Sequence, residues 1–151
     1  MEKELLKYLK SHRLMSFITV SSNGPWGASV YYTIDRDFNL YFISEPDTKH
    51  IKDITKNRNV ACVIADSSQK VTDKKMGVQL QGTVSEVSGP AKIKQILKMW
   101  NEANVGFKDV ISYENIRKRV IKSKAYRIKP TTIKFFNEKL YGVEGSRTLK
   151  I

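Results

Sequence analysis

Short runs of β-branched and aromatic residues, separated by turn signals, constrain the fold of this chain more than any other feature. The first run, Arg13–Ser22, ends in the Ser-Ser-Asn-Gly-Pro sequence at 21–25. The second, Trp26–Ile34, ends in Asp-Arg-Asp at 35–37, and the third is Phe38–Ser44. Turns of two to five residues between strands of this length favour an antiparallel meander.

The next part of the chain mixes strands with helices. Val60–Ala65 is apolar throughout, which predicts a strand buried on both faces, and Gly77–Val87 alternates apolar and polar residues as a long strand does. Helical spacing of apolar residues predicts three helices, over Glu2–His12, Thr48–Lys56 and Ala91–Ala103. Asp66–Lys75 is polar throughout and is typical of an exposed loop.

The C-terminal third has weaker patterns. A short helix is predicted around Tyr113–Val120, and Ala125–Ile128 with Thr132–Phe136 predicts a final strand pair or one strand bent at Pro130. The whole chain, residues 1–151, has the length of one domain. We therefore expect a mainly β (α+β) fold, a six-stranded antiparallel barrel with peripheral helices, since closure removes unprotected strand edges.

Charge and cysteine content limit the partners and the compartment. The formal net charge of +12 indicates an anionic partner, which is a phosphorylated cofactor, a nucleic acid or an acidic membrane surface. Cys62 is the only cysteine, so no internal disulfide and no cysteine zinc site can form, and no metal site is predicted. No apolar stretch approaches the length of a membrane span, and a cytoplasmic location without membrane contact is expected.

Familiar catalytic motifs are missing, and one segment stands out instead. No HExxH, GxSxG or glycine-rich phosphate loop occurs. A strand ends in the hydroxyl of Ser44, a tight turn follows, and a helix opens at Thr48 and Lys49. Free amides at a helix start, a hydroxyl and an ammonium are suitable donors for a phosphate monoester. The alternative is that Thr48 only caps the helix and that Lys49 is solvated.

Tyr31, Tyr32, Tyr41 and Phe42 form an aromatic cluster on two predicted strands. They are either alternating core and surface residues or the wall of a site for a flat ring, because aromatic side chains stack on π-systems.

The segments YFISEPDTKHIKDITKNRNVACVI (41–64) and GVQLQGTVSEV (77–87), in this order and spacing, carry a family resemblance. They resemble the pyridoxamine 5′-phosphate oxidase-like family of flavin-binding split barrels, specifically a small branch that also has a Tyr-x-Ile and Ile-Lys-Phe ending. Here that ending is Tyr126–Ile128 and Ile133–Phe135. The resemblance implies a split barrel that holds FMN.

The same resemblance implies which residues contact the cofactor. Ser44, Thr48 and Lys49 match the phosphate side. The isoalloxazine ring would face the strand residues Ser29, Val30, Tyr31, Tyr32 and Ile43, and Gln79 is the nearby candidate for a ring contact from the fifth strand. The arginine-rich first strand of the oxidase has no counterpart here, so oxidation of pyridoxamine 5′-phosphate itself is not expected.

The predicted function is an FMN-binding oxidoreductase with an unknown small-molecule substrate or nicotinamide donor, and Tyr32 is a candidate proton donor. A homodimer with shared cofactor sites is expected from the resemblance, and the apolar face of the 91–103 helix, with Trp100 on it, is the candidate contact. Two alternatives stay open. One is a non-catalytic flavin- or haem-binding module, with His50 as the haem ligand. The other is a basic nucleic-acid-binding protein that uses Arg117–Lys134, although no nucleic-acid motif is present.

Overall fold

Seven strands and five helices make up the computed structural model, which describes residues 1–151. The strands are β1 (Leu14–Ser21), β2 (Gly24–Ile34), β3 (Leu40–Ser44), β4 (Asn59–Ile64), β5 (Met76–Glu86), β6 (Lys124–Asn137) and β7 (Ser146–Lys150). The helices are α1 (Glu2–Ser11), α2 (Lys49–Lys56), α3 (Pro90–Ala103), α4 (Tyr113–Arg117) and α5 (Glu138–Tyr141). The elements predicted from the sequence are all present.

The first six strands close into a ring. Their order is β3-β2-β1-β4-β5-β6, every pairing is antiparallel, and β6 returns to pair with β3, with Leu40 opposite Ile128. This closure confirms the six-stranded barrel. β7 adds to the remaining edge of β6 and, like α5, was not predicted, because a short and largely exposed edge strand has little apolar alternation to detect.

One long bent strand, β6, replaces the strand pair that the sequence left as an alternative. Its register against β5 shifts between Gln81 and Gly82, where Gly82 lies opposite Pro130. A Cβ on Gly82 would collide with the carbonyl of Lys129, so this close approach of two backbones requires glycine. Proline is tolerated at the same point because the bulge removes the need for a ladder hydrogen bond.

The barrel is split between β2 and β3. These two strands pair only over Tyr32–Ile34 of β2, opposite Leu40–Phe42. From Gly24 to Tyr31, β2 keeps its pairing with β1 but has no strand on its other side. The chain leaves β3 at Ser44 and begins α2 at Lys49, so only the four-residue turn 45–48 separates the end of β3 from the start of α2.

Twenty-three buried residues form the interior of the barrel. Inward positions alternate along each strand, as in Met15 and Phe17 of β1 and Val30 and Tyr32 of β2. The apolar face of α1 contributes two of these twenty-three residues, Leu5 and Leu9, which are fully buried. Both α1 and α2 therefore pack on the core with the faces that their helical spacing predicted.

The apolar face of α3 packs within its own chain. Ile96 is fully buried in a second cluster with Tyr41, Val87 and Ala125. Trp100 is buried as well, and its indole N–H donates to the carbonyl of Tyr31 at 3.1 Å. The expectation that this face supplies a dimer contact is therefore wrong, because β2, β3 and β6 of the same chain cover it.

Candidate functional site

Three polar side chains meet where β3 ends and α2 begins. Oγ of Ser44 lies 2.7 Å from Nε2 of His50 and 3.5 Å from Oγ1 of Thr48. Nε2 of His50 and Oγ1 of Thr48 are 3.3 Å apart. The Thr48 hydroxyl also donates to the carbonyl of Glu45 at 2.9 Å, which holds the turn. The structure thus brings Ser44 and Thr48 together, as predicted, and adds His50.

The amino terminus of α2 is open beside this cluster. Thr48 is the N-cap residue, but its side chain makes no capping hydrogen bond. The first helical amide with an acceptor is that of Lys52, which donates to the carbonyl of Thr48 at 3.0 Å. The amides of Lys49, His50 and Ile51 have no acceptor in the chain. Unpaired amides and the helix dipole make such an end favourable for an anion.

His50 is half-buried, with its ring edge-on to Phe17 at 5.9 Å between centroids. Burial lowers the pKa of His50, and the nearby carboxylate of Asp53 partly opposes this shift. His50 was not predicted among the phosphate donors, because residues two apart on a helix normally diverge. Its side chain reaches back to Ser44 because Thr48 is still in extended backbone.

Lys49 points away from that cluster, toward β1 and β2. Its ammonium lies 2.9 and 3.0 Å from the two carboxylate oxygens of Asp53 and 5.2 Å from the ring centre of Trp26. Asp53 is buried, accepts a hydrogen bond from Thr19 at 2.8 Å, and has its pKa held below the usual range by the Lys49 hydrogen bond. Lys49 is thus adjacent to the open helix end, with its charge shared with Asp53.

The four predicted ring-side residues of β2 divide between two faces. Ser29 and Tyr31 are exposed, whereas Val30 and Tyr32 point into the barrel. The Tyr32 hydroxyl donates to the carbonyl of Leu9 at 2.6 Å, and burial raises its pKa far above the usual value. The idea that Tyr32 donates a proton to a substrate is not supported by this placement, since its hydroxyl is sealed beneath α1.

Ile43 and Gln79 lie apart from the Ser44 cluster. Ile43 is half-buried against the core beneath α3. Gln79 is exposed on β5, opposite Val63 of β4, while Val63 and Ser29 both lie opposite Ser16 of β1. Three strand spacings separate Gln79 from Ser29, about 14 Å. Gln79 and the β2 edge therefore do not line one pocket within a single chain.

The outer surface of β2, β1, β4 and β5 carries no charged side chain over a wide area. We call it the uncharged face; it comprises Leu14, Ser16, Ile18, Val20, Gly27, Ser29, Tyr31, Ala61, Val63, Gln79 and Gln81. Tyr31 is 56% exposed and Leu14 46%. A continuous area free of charge is unusual in a chain with 42 charged residues and is typical of a protein interface.

Other predicted features have clear positions. Cys62 is buried on β4, where burial raises the pKa of its thiol, so it is an inert core residue.

In the basic segment, Arg117 and Lys118 form ion pairs with Glu114, and Lys124 pairs with Glu86. No helix combines the length and the apolarity that crossing a bilayer requires.

Some known proteins are similar to this chain in sequence, and others are similar in fold. Two UPF0306 proteins of Campylobacter jejuni are each 35% identical over 71 residues, 46% of this chain and 52% of the relative, so the match spans about half their length. A haem-binding protein of Mycobacterium smegmatis superposes with a TM-score of 0.75 at 14% identity, over 99% of this chain and 58% of that one. A Clostridium acetobutylicum protein related to general stress protein 26, of the pyridoxinephosphate oxidase family, gives 0.70 at 15% identity, over 99% and 94%.

The profile of the family described as pyridoxamine 5′-phosphate oxidase matches residues 1–137, which include the whole barrel ring and the open end of α2. Together with the ring of six antiparallel strands, this match shows that the chain belongs to the pyridoxamine 5′-phosphate oxidase family.

Proposed function

We propose that this protein binds FMN at the split of the barrel and acts as a flavin-dependent oxidoreductase. The observation that carries the proposal is the open amino terminus of α2 beside the Ser44–Thr48–His50 cluster. Three backbone amides without acceptors, a serine hydroxyl and an imidazole converge there, and they are donors of the kind that a phosphate monoester needs.

Each residue has a definite part in phosphate binding. The amides of Lys49, His50 and Ile51 would donate to phosphate oxygens along the helix axis. Ser44 would donate its hydroxyl proton, and His50 would become a charged donor on taking up a proton beside the dianion. The Lys49 charge would contribute at longer range, because Asp53 holds it within 3.0 Å. Lys49 therefore supplies less binding free energy in this proposal than its sequence position suggests.

The flavin ring would lie along the unpaired edge of β2. Between Gly24 and Tyr31 that edge has no neighbouring strand, so its backbone amides and carbonyls are free to hydrogen-bond a planar heterocycle. The indole N–H of Trp100 already donates a hydrogen bond to the Tyr31 carbonyl. That carbonyl is therefore not available to the flavin ring, which limits the position of the flavin along the edge. Ser29 and Tyr31 face outward beside this edge, whereas Val30 and Tyr32 support it from the barrel interior.

When bound, FMN would supply hydride chemistry between its ring and a nicotinamide or another small organic molecule. The protein would orient that ring and stabilise the phosphate; the side chains near the split include no buried carboxylate free of a partner, because Asp53 is paired with Lys49. A positioning and electrostatic role for the chain follows, without a dedicated acid or base.

We propose further that two copies pair through the uncharged face. Each copy carries a net charge of +12, so contact is least opposed where no charged side chain lies. A two-fold contact there brings Gln79 of one copy near the β2 edge of the other, although the two are about 14 Å apart in one chain. This arrangement gives each FMN contacts from both protomers.

Haem is the competing ligand, because a structural neighbour is a haem-binding protein. His50 was the candidate axial ligand, but its Nε2 is 2.7 Å from the Ser44 hydroxyl, and ligation would require breaking that contact. The cluster has the donors of a phosphate site, so FMN is the better match.

The test is a comparison of ligands by absorption and fluorescence titration of the purified protein. We expect FMN to bind at least about tenfold more tightly than riboflavin, which lacks the phosphate; this ratio corresponds to about 1.4 kcal/mol. Equal affinity for the two flavins would contradict the phosphate site. A Soret band with added haemin, together with no flavin binding, would favour the haem-binding alternative.

A further inference from the structure

Four large apolar side chains are exposed within one segment, the 104–123 connection between α3 and β6. Val105 is 89% exposed and Phe107 62%, and Val110 and Val120 are exposed as well. We call these four residues the apolar tip. The chain has six phenylalanines, and Phe107 is the only exposed one. Single apolar residues are ordinary on a protein surface, but four of them in one short connection mark a contact region.

Asn115 holds two turns of this connection side by side. Its side-chain amide donates to the carbonyls of Asp109 at 3.0 Å and of Val110 at 2.9 Å. Its backbone carbonyl accepts from the amide of Val120 at 2.9 Å. In the first turn, the amide of Val110 donates to the carbonyl of Phe107 at 2.9 Å. Phe107, Val110 and Val120 therefore belong to one compact projection of the surface.

The main support of this projection is α3. α4 packs chiefly against α3, and Asn101 of α3 donates its side-chain amide to the carbonyl of Ile111 at 2.8 Å. No residue of the apolar tip belongs to either hydrophobic cluster of the chain. Hydrogen bonds thus hold the backbone of the tip, and its side chains stay available to another surface.

Positive charge surrounds the apolar tip. The 104–123 connection carries five cationic side chains and two carboxylates. One of these carboxylates, Glu114, is already paired with two of the cations. Lys94 and Lys98 of α3 line one cavity together with Lys108 of the connection, so α3 adds cations beside it. Apolar side chains bordered by lysine and arginine are typical of a surface that binds an anionic bilayer.

Other partners fit this composition less well. A second copy would bring two positively charged surfaces together, in a protein whose net charge is +12. A nucleic acid would use the cations and stack on Phe107, but the three valines of the tip have no ring on which a base can stack. A bilayer uses both parts, because acyl chains accept the apolar side chains while lipid phosphates meet the cations.

We propose that the 104–123 connection binds the surface of an anionic phospholipid bilayer, with the apolar tip against the acyl chains and Lys108 and Lys122 at the level of the phosphates. No membrane contact was predicted from the sequence, because no apolar stretch is long enough to span a bilayer, but binding to its surface requires no such stretch. This inference does not depend on FMN binding, because none of these residues belongs to the Ser44 cluster or to the β2 edge.

The first test is sedimentation of the full chain with phosphatidylcholine vesicles that contain or lack phosphatidylglycerol. We expect partitioning at least about tenfold stronger onto the anionic vesicles. Phe107→Ser combined with Val110→Ser should weaken it by at least about tenfold, because both side chains lose their contact with acyl chains. Val71→Ser with Val143→Ser, at two valines exposed elsewhere, is the control and should leave it unchanged. No binding to anionic vesicles, or unchanged binding of the tip variant, would overturn the proposal.

Two double charge reversals separate local charge from net charge. Lys108→Glu with Lys122→Glu should weaken binding to the anionic vesicles by at least about tenfold. Lys134→Glu with Lys150→Glu, on β6 and β7, changes the net charge by the same amount and should weaken binding much less. Equal losses in the two variants would mean that only net charge attracts the vesicles, which contradicts a local binding surface.

Insertion is measured with a tryptophan placed in the tip. Phe107→Trp should show blue-shifted emission and quenching by brominated acyl chains on anionic vesicles, relative to the native protein with Trp26 and Trp100. Val71→Trp, in the 66–75 loop, is the control and should keep solvent-like emission. Solvent-like emission from Phe107→Trp on bound vesicles would show adsorption by charge alone and would overturn the proposal.

Two further outcomes would assign the tip to another partner and also overturn the proposal. One is tight binding of poly(U) by a protein that does not bind the vesicles, which would indicate a nucleic-acid surface. The other is conversion of a native dimer to a monomer by Phe107→Ser with Val110→Ser, which would indicate a contact between copies.

Discussion

Nε2 of His50 lies 2.7 Å from Oγ of Ser44, so a helix residue and the last residue of the preceding strand share one hydrogen bond at the opening of the barrel. The pair faces three unpaired amides of α2. In the proposed function this pair and the free amides together form the anion site at the strand-turn-helix junction.

Replacing His50 should weaken FMN binding without unfolding the protein. His50→Ala removes one donor to the phosphate, and a hydrogen bond to a charged group contributes about 1.5–3 kcal/mol, so the FMN dissociation constant should rise by at least about tenfold. His12→Ala is the matched control, because His12 lies at the end of α1. Flavin fluorescence titration measures both. Riboflavin affinity should not change, and an equal loss for both flavins would argue against a phosphate contact.

The stability of the ligand-free protein should fall in mild acid because of His50. Burial lowers its pKa, so the folded state disfavours the protonated form. The neutral His50 side chain therefore contributes its full stabilisation above about pH 6.5. This stabilisation is lost as the pH falls through the lowered pKa of the folded state, and the free energy of unfolding decreases by about 1.4 kcal/mol for each pH unit by which the folded-state pKa lies below about 6.5. Urea unfolding at pH 8 and pH 5 should show a smaller loss for His50→Gln than for the native protein. The same loss in both would rule out this assignment.

Lys49 should matter more for folding than for the phosphate. Lys49→Met keeps the aliphatic stem near Trp26 but leaves the buried Asp53 carboxylate with Thr19 as its only donor. Because Lys49 lowers the pKa of Asp53, the stabilisation is present above the unfolded pKa of about 4 and is lost as the pH falls through the lower folded value.

The melting temperature of Lys49→Met should therefore be below that of the native protein at pH 7, and the difference should narrow below about pH 4. Lys52→Met on the exposed side of α2 is the control and should melt like the native protein. A loss of FMN affinity larger than that of His50→Ala would contradict the view that Asp53 shares the Lys49 charge.

A charge placed on the uncharged face should separate the proposed dimer. Val63 lies on this face between Ser16 and Gln79, and Val63→Lys would bring unpaired charges into a contact that repeats across the two-fold axis. We expect the dimer dissociation constant to rise by at least about tenfold. Sedimentation velocity measures it, with Val71→Lys in the exposed 66–75 loop as the control. A native protein that is monomeric at micromolar concentration and still binds FMN tightly would exclude a shared site.

Much of the site could be predicted from local sequence, and some of it could not. Ser44 and Thr48 were predicted because a strand end and a helix start are local features, four residues apart. His50 was predicted only as a possible haem ligand, and its contact with Ser44 was not predicted because that contact depends on how the turn folds back. Lys49 was predicted correctly at the helix start. The direction of its side chain was not predicted, because Lys49 pairs with Asp53, and Asp53 is held in turn by Thr19 on the distant strand β1.

The sequence by itself determined the six strands, the three longer helices and the barrel class, because alternation, helical spacing and turn residues are properties of neighbouring positions. Only the tertiary structure decided that α3 buries its apolar face in its own chain, that Tyr32 is sealed beneath α1, and that β7 completes the sheet. These outcomes depend on ring closure between β3 and β6, where Leu40 meets Ile128. Closure of the barrel determines which face of each strand is buried. It depends on pairing between residues that are far apart in the chain, and local sequence patterns do not contain that information.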